Sequence, residues 1–132
     1  MANHLHHVHI FAADLDYSIT FYREVFDAKV VLDKELAGAR NVFMTIGRGR
    51  LHLYDQSPRQ VQRAGIHHFG IQTDELDAIP DRLENFGIES PNEIRDQGTW
   101  RYLMVCAPDD ILVEVFEVDR SQMPAELEDY FF

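Results

Sequence analysis

Four side chains able to hold a divalent ion fall at repeating places in this 132-residue chain: His7, His52, His67 and Glu114. The stretch Leu5-His6-His7-Val8-His9-Ile10-Phe11-Ala12-Ala13-Asp14 passes from a histidine through apolar residues to an aspartate seven positions on. Ile66-His67-His68-Phe69-Gly70-Ile71-Gln72-Thr73-Asp74 does the same again. His7 and His67 stand 60 residues apart, as do Asp14 and Asp74. Late in the repeat the offset becomes 62, setting Leu51-His52-Leu53-Tyr54-Asp55 against Val113-Glu114-Val115-Phe116-Glu117. Imidazole favours iron, zinc, nickel and copper, and carboxylate favours harder ions; two His and one Glu with open positions is the facial set of non-haem Fe(II) oxygenases. The repeat therefore nominates His7 and His67 as twin ligands. Glu114, between Val113 and Val115, would be costly if buried unpaired, which favours a ligand role for it as well. His52 reads as a fourth ligand, a proton-transfer group or an exposed edge residue. His9, on the same strand face as His7, lines the same cavity, whereas His4, His6 and His68 read as surface or packing residues.

The elements that must carry these groups follow from periodicity. Residues 5 to 12 alternate as a strand, with Val8, Ile10 and Ala12 on one face and His7, His9 and Phe11 on the other. Asp14 caps a helix over about residues 15–27. Strands follow at Lys29 to Leu32 and Asn41 to Ile46, and Gly47-Arg48-Gly49-Arg50 turns the chain into Leu51 to Tyr54. After a polar linker from Ser57 to Gly65 the order restarts: a strand over 66–73, a cap at Asp74, and a helix from Leu76 to Phe86. Pro80 lies in the first turn of that helix and Gly87 just past its end. Short strands are expected around Ile88 to Ser90, then over Arg101 to Cys106 and Ile111 to Val118.

The pattern is βαβββ written twice, and a repeat of this length constrains the fold more than any single motif. One domain over residues 1–118 is expected, with module one at 5–57 and module two at 65–118, followed by a helical tail over 119–132. In that tail Ser121 is expected to cap and Pro124 to start a short helix. The closing Tyr130-Phe131-Phe132 is expected to dock on the domain or on a partner subunit.

Composition narrows the function classes. Lys plus Arg number 12 against 23 Asp plus Glu, a net charge of −11 that argues against nucleic acid or anionic membranes. The apolar runs fall short of the roughly 20 residues of a membrane span. The single Cys106 suits a reducing compartment, and no basic stretch leads into an apolar one near Met1, so a cytoplasmic protein is expected.

Together His7-Val8-His9-Ile10, Asp14-Leu15, Phe21-Tyr22-Arg23, His67 to Asp74, Pro108-Asp109 and Glu114 resemble the vicinal oxygen chelate superfamily. That superfamily includes glyoxalase I, extradiol dioxygenases, epimerases, fosfomycin-resistance enzymes and bleomycin-binding proteins. The resemblance implies an α+β fold in which two βαβββ modules form a half-open mixed β-barrel. It implies a divalent metal on His7, His67 and Glu114, Fe2+ first and Zn2+, Ni2+, Mn2+ or Co2+ as alternatives. The substrate it implies is a small molecule chelating the ion through neighbouring oxygens.

The place of His52 resembles that of the unligated acid/base His of extradiol dioxygenases, 15 residues before His67, and differs from the Glu of glyoxalase I and the Gln of the epimerases. Met104 stands where those dioxygenases usually carry Tyr, and Tyr102 lies two residues earlier on the same face, lining the cavity with His9. Asn92 to Thr99 lacks the Lys- and Ser-rich loop of the thiol-transferring fosfomycin-resistance enzymes, a departure from that branch. The resemblance thus leans to a ring-cleaving dioxygenase, ahead of a glyoxalase- or epimerase-type isomerase or lyase. A metal-free binding protein of the bleomycin-sequestering type is the reading of a different class. A homodimer is expected.

Overall fold

Asp14 leaves one strand and starts one helix. Its backbone is extended and its carboxylate accepts from the Tyr17 N–H at 3.0 Å, which satisfies one of the open donors of the first turn. Helix α1 (Leu15–Phe26) ends at Asp27, which adopts a left-handed conformation. Its buried stripe of Leu15, Ile19, Phe21, Tyr22, Val25 and Phe26 contributes roughly 1.5–3 kcal/mol per large side chain.

The computed structural model describes residues 5–36, 38–57, 66, 68–89, 92–127 and 131. The chain separates into two compact units, Met1–Arg63 and Ala64–Phe132. In the first, β1 (Val8–Phe11), β2 (Lys29–Leu36), β3 (Ala39–Ile46) and β4 (Gly49–Tyr54) form a sheet in the order β1-β4-β3-β2. The β1/β4 pair is parallel and the others are antiparallel. Val42, Met44, Leu51 and Leu53 are buried on one face, and His52 and Tyr54 alternate onto the other.

The second unit repeats this plan with β5 (Phe69–Gln72), α2 (Ile79–Phe86), β6 (Arg95–Asp96), β7 (Trp100–Ala107) and β8 (Ile111–Val118), in the order β5-β8-β7-β6. Leu103, Val105, Val113 and Val115 are buried as their counterparts are in the first unit. The α+β class and the doubled βαβββ order expected from the sequence are both present.

Strand pairing sharpens the repeat. Val8 pairs with Leu51 and Ile10 with Leu53, whereas Phe69 pairs with Val113 and Ile71 with Val115. The first strands are therefore offset by 61, not 60. The β3 and β7 strands keep 61, since Val42 faces Leu53 as Leu103 faces Val115. The step to 62 has a local cause. Ile46 and Gly49 close a two-residue turn, whereas Ala107 and Ile111 enclose three residues, Pro108–Asp110. The extra residue is accommodated with Asp109 and Asp110 both at positive φ, a conformation aspartate tolerates better than most.

An Arg–Asp brace repeats at the same offset. Arg40 donates to Asp16 at 2.8 Å in the first unit, and Arg101 donates to Asp77 at 3.0 and 3.1 Å in the second. Each ties a strand to the start of its unit's helical segment. Arg40 also forks onto Asp33, and Arg101 also meets Glu117. Hydrogen bonds from Arg40 and Arg101 hold Asp33 and Asp77 below the usual carboxylate range.

Several local expectations need correction. Asp74 is not the helix cap: the Thr73 hydroxyl accepts from the Glu75 N–H at 3.0 Å, and a 3-10 turn at Leu76–Ala78 leads into α2. Gly87 does end α2, at φ 97, with its N–H on the Leu83 and Glu84 carbonyls. Ile88 and Glu89 are not strand, Ser90 lies outside the described residues, and the third sheet position is taken by β6 further on. The tail makes 3-10 turns at Arg120–Gln122 and Ala125–Leu127, with Asp119 rather than Ser121 as the cap. Phe131 does dock: its ring lies edge-on to Phe116 with centroids 5.8 Å apart, while Tyr130 and Phe132 lie outside the described residues. Among the described residues no helix is long and apolar enough to cross a membrane.

Candidate metal centre

In the first unit the parallel β1/β4 pair sets His9 directly beside His52. Residues with the parity of His52 face away from the buried Leu51 and Leu53, so its imidazole shares a face with His9, Phe43 and Tyr54. The His52 ring is sandwiched. His7 stacks on it at 3.8 Å with 14° between planes, and Phe43 lies at 3.9 Å and 15°. His9 meets it edge-on at 5.9 Å. Burial, then the neighbouring His7, His9 and His6, push the pKa of His52 down from 6.5. Burial, then His7, does the same to His9. Both rings are held toward the neutral form that accepts a proton or binds an ion.

His6 joins this group, although the sequence reading set it aside. Its Nδ1 lies 3.1 Å from the His7 Nδ1, and the donor atoms of His6, His7 and His52 fall within 4.8 Å of one another. Both His6 and His7 precede β1, where strand alternation does not yet force consecutive side chains to opposite faces.

The second unit presents a different pair. Gly70 occupies the place of His9, and Glu114 that of His52. At an offset of 61 the counterpart of His7 is His68, whose Nε2 lies 3.3 Å from the Glu114 Oε2. His67 lies outside the described residues. The 60-residue match that singled it out differs by one from the 61-residue offset of the paired strands. The His68–Glu114 separation fits ligands of one ion: bonds of about 2.1 Å set neighbouring ligand atoms roughly 3.0–3.4 Å apart. Glu114 and His68 are both half-buried, and Tyr102 shares the face of Glu114 through the β7/β8 pairing of Met104 with Glu114. The donor set of imidazoles and a carboxylate suits a first-row divalent ion.

A cleft of about 510 Å³ opens in the second unit beside Gln72, Trp100, Arg101 and Glu117, and neither Glu114 nor Tyr102 lines it. Its polar rim is largely committed to the Arg101 brace and to the Asp119 turn. None of His6, His7, His9, His52 and His68 lines it either.

Residues 4–115 match the family model described as the Glyoxalase/Bleomycin resistance protein/Dioxygenase superfamily. Over 119 residues the chain is 26% identical to fosfomycin resistance protein FosX of Listeria monocytogenes serovar 1/2a (strain ATCC BAA-679 / EGD-e), covering 87% of this chain and 90% of that one. A structure of a Glu-to-Gln mutant of Listeria monocytogenes FosX, complexed with Mn(II) and 1S,2S-dihydroxypropylphosphonic acid, matches with a TM-score of 0.72 at 23% identity, covering 92% and 97% of the two chains. Lactoylglutathione lyase from Agrobacterium tumefaciens matches with a TM-score of 0.63 at 26% identity, covering 88% and 94%. These relatives lie on the fosfomycin-resistance and glyoxalase side of the superfamily. The expected lean to ring cleavage finds no support in the names of these relatives.

Proposed function

Since this chain belongs to the Glyoxalase/Bleomycin resistance protein/Dioxygenase superfamily, we propose that it is a divalent-metal enzyme performing non-redox chemistry on a small substrate with two neighbouring oxygens. The reaction is a proton shift or an addition of water. The ligands in this reading are His7, Glu114 and, in the place expected of His67, His68. The observation that carries it is the His68–Glu114 pair, standing where the strand register puts the counterparts of His7 and His52.

An ion bound there would polarise a substrate oxygen as a Lewis acid and stabilise the charge that develops on it. His52 is the acid/base. Held toward its neutral form, it takes a proton from a substrate carbon and returns it to a carbon of the product in a proton shift, or takes it from attacking water and returns it to the opened ring oxygen in an addition of water. Stacking between His7 and Phe43 fixes its ring plane, so its lone pair keeps one direction. The same stacking argues against His52 as a fourth ligand beside His7, because ring nitrogens bind in the ring plane and parallel rings cannot both point at one ion. His9 and Tyr102 line the substrate side of their respective sheets. Manganese is the first ion to try, since the FosX relative was crystallised with Mn(II).

The test is manganese-loaded protein assayed on three substrates. One is an epoxypropylphosphonate, with diol formation followed by phosphorus NMR. The second is the hemithioacetal of methylglyoxal and a thiol, followed by thioester absorbance. The third is a catechol, followed with an oxygen electrode. Turnover of either of the first two without oxygen uptake is expected. Oxygen uptake on catechol by the iron-loaded protein would overturn the non-redox reading, and equal ligand binding with and without metal would favour the bleomycin-type binding protein.

A further inference from the structure

The second unit carries an aromatic arrangement beside Glu114 that the reaction just proposed leaves unused. We propose that Phe116, held in place by Phe131 of the tail, is a specificity-determining residue that receives a flat apolar substituent next to the chelating oxygens. The inference rests on the metal reading of Glu114 and names the class of substrate that such a site prefers. That class is a compound whose two neighbouring oxygens adjoin a carbon bearing an aryl or similarly flat apolar group.

Strand register builds the arrangement, which lies wholly within the second unit. Val113 and Val115 are fully buried, so Glu114 and Phe116, which alternate with them, share the opposite face. Two positions along one face of a strand are about 6.5–7 Å apart. On the neighbouring strands Met104 and Gly70 flank Glu114, and Tyr102 and Gln72 flank Phe116. Gly70 is the gap in this row. A Cβ there would lie 3.2 Å from Cε1 and 3.7 Å from Cδ1 of Phe116, so the ring leans back over Gly70, the strand neighbour of Glu114. A side chain at position 70 would push the ring away, and glycine leaves it there.

Phe131 holds the same ring from the tail. Its ring meets Phe116 edge-on, with centroids 5.8 Å apart and 73° between planes, a favourable aromatic geometry. The Phe131 carbonyl accepts from Arg120 at 3.5 Å, and Asp119 fixes the start of the tail through Ser121 and Gln122. Phe131 acts through Phe116, so it is a positioning residue. Both rings are only half-buried, which leaves apolar surface for a ligand to cover. Met104, on the other flank of Glu114, adds a polarisable thioether that also favours an aromatic edge.

The experiment is calorimetric titration of the manganese-loaded full chain with acetohydroxamate and benzohydroxamate. These probes present the same pair of chelating oxygens and differ in a methyl against a phenyl group. In the unaltered chain benzohydroxamate should bind about tenfold tighter, the discrimination a modest apolar contact supplies. Phe131→Ala should lower that ratio about fivefold, with acetohydroxamate affinity held within about twofold. Phe131→Leu, which keeps an apolar contact on Phe116, should recover most of the ratio. Gly70→Ala should lower it too, because the Phe116 ring must give way to the new Cβ. Comparing ratios between variants cancels the intrinsic difference between the two hydroxamates. An unchanged ratio in Phe131→Ala would overturn the positioning role, and so would a parallel fall of both affinities, which marks a contact of the fold alone. Equal binding of both probes by the unaltered chain would overturn this inference and leave the metal reading standing. Binding of neither would overturn the metal reading and this inference with it.

Discussion

The same backbone address carries opposite electrostatics in the two units. At the parallel pair that opens each sheet, the first unit sets His9 against His52 and the second sets Gly70 against Glu114. In the first, four imidazoles crowd together, and their burial and mutual repulsion disfavour protonation at His52. In the second, a residue without a side chain faces a carboxylate, and the His68 imidazole approaches that carboxylate directly. Gly70 itself has little room for more, because a Cβ there would lie 3.2 Å from the Phe116 ring. A duplicated frame thus carries an imidazole on one sheet where it carries a carboxylate on the other. The braces differ less: Arg40 and Arg101 hold equivalent aspartates, so the frame is preserved where the chemistry is not.

The largest effect should come from breaking the anionic side. Glu114→Ala removes the one carboxylate of the proposed ligand set, and manganese-dependent turnover should fall below detection. His68→Ala should lower manganese affinity by more than a hundredfold. His67→Ala, one residue away, should change it by less than threefold. The two histidine variants, compared by chelator competition, decide between an offset of 61 and one of 60; a larger loss in His67→Ala would restore the sequence-based assignment.

That assignment shows where sequence reasoning stopped. The alternation around β1, the helix stripe of α1 and the hairpin at Gly47 were legible because period and turn chemistry are local. The equivalence of His52 and Glu114 was legible because both sit between large apolar neighbours on buried strands. Adjacent histidines at 67 and 68 offered no such test. Type matching tied Asp14 to Asp74, but the actual turn uses Thr73 and shifts the register by one. His6 was missed for a similar reason, since alternation was applied to residues that precede the strand. The two-residue edge strand β6 is polar and exposed and leaves no periodic trace.

The next effect sharpens the neutral side. His52→Gln removes the proton carrier but leaves the proposed manganese ligands, so kcat should fall by about 10²–10⁴-fold while manganese affinity stays within about threefold. A His52→Gln variant that loses manganese in proportion to its activity would make His52 a ligand, and the asymmetry between the sheets would then be one of ligand type alone.

The smallest effect separates the units by acid sensitivity. His9 and His52 have folded-state pKa values lowered from 6.5, so over the interval just below 6.5 the unfolded chain binds more protons than the folded one. The stability they contribute is complete above about pH 6.5 and is lost as pH falls through the depressed folded values. The carboxylates that are also lowered, Asp33, Asp77 and Asp119, start from 3.8 and act only at lower pH, which leaves a window between about 6.5 and 5 that belongs to histidine. In metal-free protein the amides of β1 and β4 should lose hydrogen-exchange protection across that window before those of β5 and β8. The difference should shrink in the His9→Gln, His52→Gln double variant. Equal loss in both sheets, or no change in the double variant, would mean that the crowding of imidazoles on the first sheet carries no energetic cost on protonation, and the electrostatic contrast between the two units would fail with it.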